Sequence, residues 1–439
     1  MSFHGRYAQF FTTATRSVAT QALHYLSGLV QAEHKNIERM TEVVPDAEYQ
    51  ALQHFASHSP WQSQPVMDQV ARDGSQLLGG GPDTGLILDE TSFEKKGDKS
   101  VGVGRQHCGS LGKVENCQVG VFASLVRGSS SVLVEGRLYI PQDWFTDRAR
   151  CRDAGIPDEV VFQTKSQLAR TIIQHERELG IDFGWVGLDG GYGKEPQFLS
   201  NLDDDGEQFM ADVHKDQRFY LEDPQPYLPP RKSGKGRAPS RYVTEAKPLR
   251  VDQWAAKQPT AAWQRITTRA ATKGDIQVDL LVARVWAWNK AETTARQWFL
   301  VVRRELDATE EIKYSFSNAP PDTSPERLAF MQGQRYFVER AFQNAKGTAG
   351  MDHYQVRGLL AWQHHMTLVM MAMLFMQETR QEQQETYPLL SCPDIVKLLS
   401  RFLPRRDLDP DELIRQMEVR HRQRQASINY AYARKLSKL

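Results

Sequence analysis

The order of elements read from the sequence predicts an α/β fold with helical regions at both ends of the chain. Residues 1–80 carry helical patterning, 81–214 alternate short apolar strands with helices, and helical periodicity returns at Ser324. Strands followed by helix, strand, helix and strand is the order expected of a sheet with helices packed on it.

The first region holds the helical stretches Ala19–Gln31, Ala51–His58 and Val66–Leu78, with Ser59–Pro60 as a break. The turn-forming segment GPDTG at 81–85 closes it. Leu86–Asp89 is a short apolar run that reads as a buried strand, and Asn116–Val126 and Ser131–Tyr139 follow as the second and third. Thr164–Leu179 is a helix, with Leu168, Ile172 and Glu176 one turn apart. Trp185–Asp189 and Phe209–Val213 are two further strands. The pattern then changes. Pro224, Pro226, Pro229, Pro230 and the glycines of RKSGKGR make a long charged loop, while Ile276–Val285 and Gln297–Val302 are rich in β-branched and aromatic residues. A β-rich insertion over 215–320 is expected. Ser324 with Pro325 behind it opens a helix to Gln332, and a second runs Arg335–Lys346 and ends at Gly347 and Gly350. Trp362–Glu378 and Pro393–Leu403 complete a helical end. The expected division is 1–80, 81–214, 215–320, 321–380 and 381–439, the fourth segment completing the core begun by the second.

A chain of 439 residues with 40% hydrophobic and 25% charged residues has the composition of a folded soluble protein of several subdomains. The net charge of +1 neither requires nor excludes a polyanionic partner, because clustering matters more than the total. Segment 201–230 holds eight acids and two bases, 231–250 seven bases and one acid, and the tail from Arg401 ten bases and five acids. Basic stripes of that kind suit a phosphate backbone, although each alone reads equally well as a solvated face. Cys108, Cys117, Cys151 and Cys392 lack CxxC spacing and are expected to be buried small apolar residues. The N-terminus shows no secretory signal, and the apolar run Met366–Met376 is too short to span a bilayer, so a buried helix, no membrane partner and a cytoplasmic, nucleoid-associated location are expected.

Two aspartates draw the chemical argument. Asp89 ends one apolar strand and Asp189 another, and carboxylates at strand ends point into a crevice. Side by side they repel unless a cation lies between them, and hard oxygen ligands suit Mg²⁺ or Mn²⁺. The plainer reading is that each caps the turn that follows. Glu339 lies on the helix Arg335–Lys346, and the intervals of four and seven put Arg335, Glu339 and Lys346 on one face. A surface ion pair would explain that face too; a metal ligand flanked by phosphate-holding cations is the functional reading. A glycosidase with two carboxylates is an alternative, but the cations favour phosphate over sugar. His364 and His365 precede the apolar run without a third partner in view, and are expected to lie in the core or against DNA.

Four stretches carry a resemblance to a known family: LILDETSFEKKGDKSVGVGRQHCGSLGKVENCQVGVFASLV at 86–126, GLDGGYG at 187–193, RRELDATEEIKYSFSNAP at 303–320 and QGQRYFVERAFQNAKGTAGMDHYQVR at 332–357. In them the chain resembles the DDE transposases of bacterial insertion sequences, and most nearly the IS701-type family within the broad IS4-like group. The resemblance implies a ribonuclease-H-like catalytic core with a β-rich insertion between the second aspartate and the glutamate. It implies that Asp89, Asp189 and Glu339 are the catalytic, metal-holding acids, served by Mg²⁺ or Mn²⁺. Arg335 and Lys346 match the Arg and Lys of a Tyr, Arg, Glu, Lys signature in the wider group; the tyrosine position is Gln332 here, and Tyr336 is not its substitute. The implied partners are double-stranded DNA at terminal inverted repeats, target DNA and a second copy of the chain in a synaptic homodimer. Arg231, Lys232, Lys235, Arg237 and Arg241 are the candidate DNA-backbone residues of the basic loop. Trp288 or Trp298 is the candidate for stacking an extruded base, beside the commoner role of core packing. A catalytically silent DNA-binding protein of transposase descent is the alternative that keeps the fold and the basic surfaces.

Overall fold

The computed structural model of the chain describes residues 3–230, 239–269, 276–306 and 311–436. The chain divides into two compact units. One comprises Met1–Ser63, Asn344–Val356 and Leu360–Leu439; the other comprises Gln64–Gln343 and Arg357–Leu359.

The second unit is a mixed α/β structure with a central mixed sheet flanked by helices. Its strands are β1 (Gly85–Glu94), β2 (Gly104–Cys108), β3 (Lys113–Arg127), β4 (Ser130–Tyr139), β5 (Trp185–Leu188), β6 (Phe209–Val213), β7 (Arg218–Phe219), β8 (Leu249–Arg250), β9 (Gln264–Arg269), β10 (Ile276–Ala287), β11 (Arg296–Glu305) and β12 (Ile312–Ser317). Among the described residues ten of them form one sheet in the order β2-β3-β1-β5-β6-β12-β11-β10-β9, with β4 also paired to β3, and β7 and β8 pair separately. β5 pairs parallel with both β1 and β6, and the other pairings of this sheet among the described residues are antiparallel. Leu86, Ile87 and Leu88 are fully buried, which is why β1 reads as a continuous apolar run rather than an alternating one. The helix Lys165–Glu178, opened by a Thr164–Gln167 capping box, packs on β3 and β4 through Leu168, Ala169, Ile172 and Ile173. Helix Pro325–Gln334, capped by Ser324 with Pro325 in its first turn, packs near β5, β6 and β9.

Of the strands within 215–320, β7 and β8 pair with each other, whereas β9 to β12 do not form a sheet apart. They continue the central one, because β12 pairs antiparallel with β6 from Tyr314 opposite Val213 to Ser317 opposite Met210. An unpaired β6 would leave a row of backbone donors and acceptors unsatisfied, and the returning chain covers them. The strands β2, β7, β8, β9 and β12 escaped the sequence reading. β2, for example, alternates exposed and half-buried residues over GRQHC and shows no apolar run.

The first unit is helical. Its elements include Ala19–Gln31, Ile37–Val43, Tyr49–Ser57, Cys392–Phe402 and Pro410–Leu436, together with most of Leu359–Glu382. Gly350, at φ +63°, ends the helix Tyr336–Ala349, whereas Gly347, expected as a stop, lies inside it. The helix Leu359–Glu382 is longer than its apolar run and by length and composition could cross a membrane, yet 78% of that apolar window is buried within the protein, as in a core helix. His364 and His365 sit in this core. The His364 ring stacks on Trp61 at 3.8 Å and reaches the Ala56 and Trp61 carbonyls, while His365 Nδ1 lies 2.9 Å from the Tyr25 hydroxyl. Cys108, Cys117, Cys151 and Cys392 are all buried.

Candidate active site

Register brings three aspartates into one row. Leu88 of β1 lies opposite Leu188 of β5, and Leu188 lies opposite Ala211 of β6. The next residues on the three chain segments are Asp89, Asp189 and Asp212. β1 itself runs on to Glu94 against β3, so Asp89 stands where the parallel pairing ends rather than where the strand does. Asp189 caps the short helical turn Gly190–Gly193, its Oδ1 accepting the Gly191 and Tyr192 N–H groups at 2.9 and 3.2 Å. The turn packs so closely on β6 that a Cβ on Gly193 would lie 1.8 Å from the Asp212 carbonyl oxygen, which only glycine tolerates. Asp189 therefore does cap its turn, and one carboxylate oxygen stays outside that cap.

Arg335 joins this row to the glutamate. It stands between the helices Pro325–Gln334 and Tyr336–Ala349 in helical conformation. Its guanidinium Nε donates to Asp212 Oδ2 at 3.0 Å, Nη1 to Asp89 Oδ2 at 3.4 Å, and Nη2 lies 3.0 Å from Glu339 Oε1. The four-residue spacing of Arg335 and Glu339 is thus realised as an ion pair. Asp89 Oδ1 also accepts the Glu90 N–H at 2.7 Å.

The electrostatics follow from this crowding. Burial, and then the neighbouring Asp189 carboxylate, push the Asp89 carboxyl up to about 7, against the opposing pull of Arg335. Burial alone would lower the Arg335 guanidinium, yet Asp212, Asp89, Glu339 and Asp189 together hold it above its ordinary value. Burial also raises Glu90, which is ion-paired with Lys165. The buried Tyr192 hydroxyl has no hydrogen-bond partner among the described residues and is raised by burial and then by Glu90 and Asp189.

A row of carboxylates that shares one guanidinium is short of positive charge, and its oxygen donors suit a hard divalent cation. Among the described residues, however, no group of three or more Asp, Glu, His or Cys side chains is arranged to hold a metal ion. In this arrangement Arg335 stands where such a charge is needed.

Residues 6–275 match the family described as DDE superfamily endonuclease, a span covering more than half of the chain. The chain belongs to the DDE superfamily. It is also 28% identical over 208 residues to a protein of Microchaete diplosiphon described as "Probable transposase for insertion sequence element IS701", an overlap of 46% of this chain and 52% of that protein. The chain thus spans about half the length of that relative. The superfamily match contains Asp89, Asp189 and Asp212 and stops short of Glu339.

Other candidate residues of this DDE-superfamily chain are dispersed. Lys346 follows Glu339 by two helical turns, in the part of that helix assigned to the first unit. Arg231, Lys232, Lys235 and Arg237 lie outside the described residues, and Arg241 is exposed. Trp298 is 4% exposed and packs edge-on to Phe209 at 5.1 Å, a core position. Trp288 instead lines an open cavity of about 960 Å³ with Lys194, His214, Arg218, Tyr220 and Lys290. Asp212 went unnoticed in the sequence because it lies in the acidic stretch 201–230. The available signal was its place in the apolar strand FMADV, the same context that singled out Asp89 and Asp189.

Proposed function

We propose that the chain is a DNA transposase of the IS701-type, IS4-like group, which cleaves phosphodiester bonds and transfers strands at insertion-sequence ends by a cut-and-paste route. The observation that carries this reading is the convergence of Asp89 and Glu339 on the Arg335 guanidinium, with Asp189 beside Asp89 in the parallel register. Asp89, Asp189 and Glu339 are the residues to hold Mg²⁺ or Mn²⁺. When bound, such ions activate an attacking water or 3′-hydroxyl and offset the charge on the leaving oxygen. Arg335 and Lys346 serve the phosphate, the first by its planar fork and the second as a point charge. On this reading the second unit is a ribonuclease-H-like core, and the helical N-terminal region and the basic loop 229–241 bind DNA. Trp288 is the better placed of the two tryptophans to stack an extruded base, since it lines a cavity beside cations. A homodimer on paired terminal repeats is the working assembly.

The test is cleavage of labelled element ends in Mg²⁺ or Mn²⁺, run beside end binding in Ca²⁺. Asp89→Asn, Asp189→Asn and Glu339→Gln each keep side-chain size and lose the charge that coordinates a hard cation. Cleavage falls to background in all three while end binding persists. Wild-type cleavage by any of them removes that residue from the catalytic set, and an inactive wild-type chain that still binds ends marks a silent DNA-binding descendant.

A further inference from the structure

Gln332 and Asp212, neither of which the catalytic reading employs, are joined in one chain of hydrogen bonds. Gln332 is 4% exposed, and its Nε2 donates to the Ser315 hydroxyl at 2.7 Å. Ser315 is buried, lies opposite Asp212 in the β12–β6 pairing, and donates to Asp212 Oδ1 at 2.6 Å. Asp212 Oδ2 accepts from Arg335 Nε at 3.0 Å. The Asp212 carboxylate is therefore fixed from behind, with one oxygen committed to Ser315 and the other to Arg335.

The guanidinium is divided by this arrangement. Its Nε edge belongs to Asp212, while Nη1 and Nη2 face Asp89 at 3.4 Å and Glu339 at 3.0 Å. Those two carboxylates hold the guanidinium less firmly. The contact to Asp89 is the longest of the three, and the Glu339 side chain is 54% exposed. Arginine does not deprotonate in proteins, so a divalent cation that takes the acids must expel the guanidinium or find it held to one side.

We propose that Asp212, oriented by Gln332 and Ser315, is a positioning residue that retains Arg335 through Nε while a divalent cation takes Asp89 and Glu339 from its two outer nitrogens. The proposal rests on the metal-dependent reading given above. Arg335 then stays beside the acids with its Nη edge released, and a planar fork so presented suits a phosphate. Gln332 supports the anchor from the helix that precedes Arg335.

Mn²⁺ binding to the full chain, measured by calorimetry on wild type, Asp212→Asn, Arg335→Gln and the double variant, tests it. Without its anchor Arg335 stays on Asp89 and Glu339, so Asp212→Asn weakens Mn²⁺ binding about tenfold in wild type but less than about threefold in the Arg335→Gln background. Equal losses in the two backgrounds would make Asp212 act on the ion directly and overturn the proposal. A wild-type chain that binds no Mn²⁺ overturns the metal-dependent reading itself, and this proposal with it. If Asp212→Asn does not fold, the wild-type chain decides alone. Its Arg335 Nε–H signal in ¹⁵N spectra, assigned by its loss in Arg335→Gln, stays protected from solvent exchange when Mg²⁺ is added. Loss of that protection on adding Mg²⁺ is the contrary result.

Discussion

Asp89 and Asp189 stand side by side where the parallel pairing of β1 and β5 ends, one residue past the opposed pair Leu88 and Leu188. Burial first, and then the Asp189 carboxylate beside it, push the Asp89 carboxyl up to about 7. Arg335 Nη1, 3.4 Å from Asp89 Oδ2, opposes that rise.

The first prediction is a pH-dependent stability of the metal-free protein. The folded-state value of Asp89 lies above its ordinary 3.8, so its contribution to stability is full below that value and is lost as pH rises through about 7. Asp89→Asn has no such loss. In EDTA at pH 8 the variant is more stable than wild type by on the order of 2–4 kcal/mol, and the gain vanishes near pH 4. Urea melts at the two pH values check this; a gain of equal size at both would show that ionisation of Asp89 is not its source.

The second concerns the close approach of the Asp189 turn to β6. A methyl group at Gly193 would overlap the Asp212 carbonyl at 1.8 Å, so turn and strand must separate. Gly193→Ala costs about 2–4 kcal/mol in stability and disturbs the spacing of Asp189 from Asp212. A thermal melt matching wild type would show that the turn yields without cost.

The third separates the helical unit by its response to acid. Burial pushes His364 down to about 4 from an ordinary 6.5, so its stabilising contribution is present above pH 6.5 and is lost as pH falls toward 4. Hydrogen exchange of the helix Leu359–Glu382 should speed up between pH 6.5 and 4 once the intrinsic rate is corrected. The same helix in His364→Gln should show a flatter profile, and identical slopes would remove His364 as the cause.

The fourth concerns the basic loop. Replacing Arg231, Lys232, Lys235, Arg237 and Arg241 with alanine should weaken binding to all duplexes alike and lower the salt slope by roughly one per lost phosphate contact. Filter-binding or anisotropy titrations from low to moderate salt measure it, and an unchanged slope would reduce the loop to a solvated linker.

The local settings of Asp89, Asp189, Arg335 and Glu339 were legible because each is announced by its neighbours in the chain. Asp89 and Asp189 follow short apolar runs that read as buried strands, and Glu339 stands four residues from Arg335 on a helical period, a spacing that short-range geometry turns into an ion pair. The roles proposed for them rest on resemblance over long stretches. Nothing local announces Asp212 as a partner of Arg335, Ser315 as its support or Gln332 as the support's donor. Asp212 and Ser315 are 103 residues apart in the chain and meet because β12 returns to pair with β6 in one register. A shift of that register by one residue would turn Ser315 to the other face of the sheet. Periodicity along the chain fixes which face a residue occupies within its own element, but which elements become neighbours, and in what register, is settled by burial and backbone pairing across the whole unit.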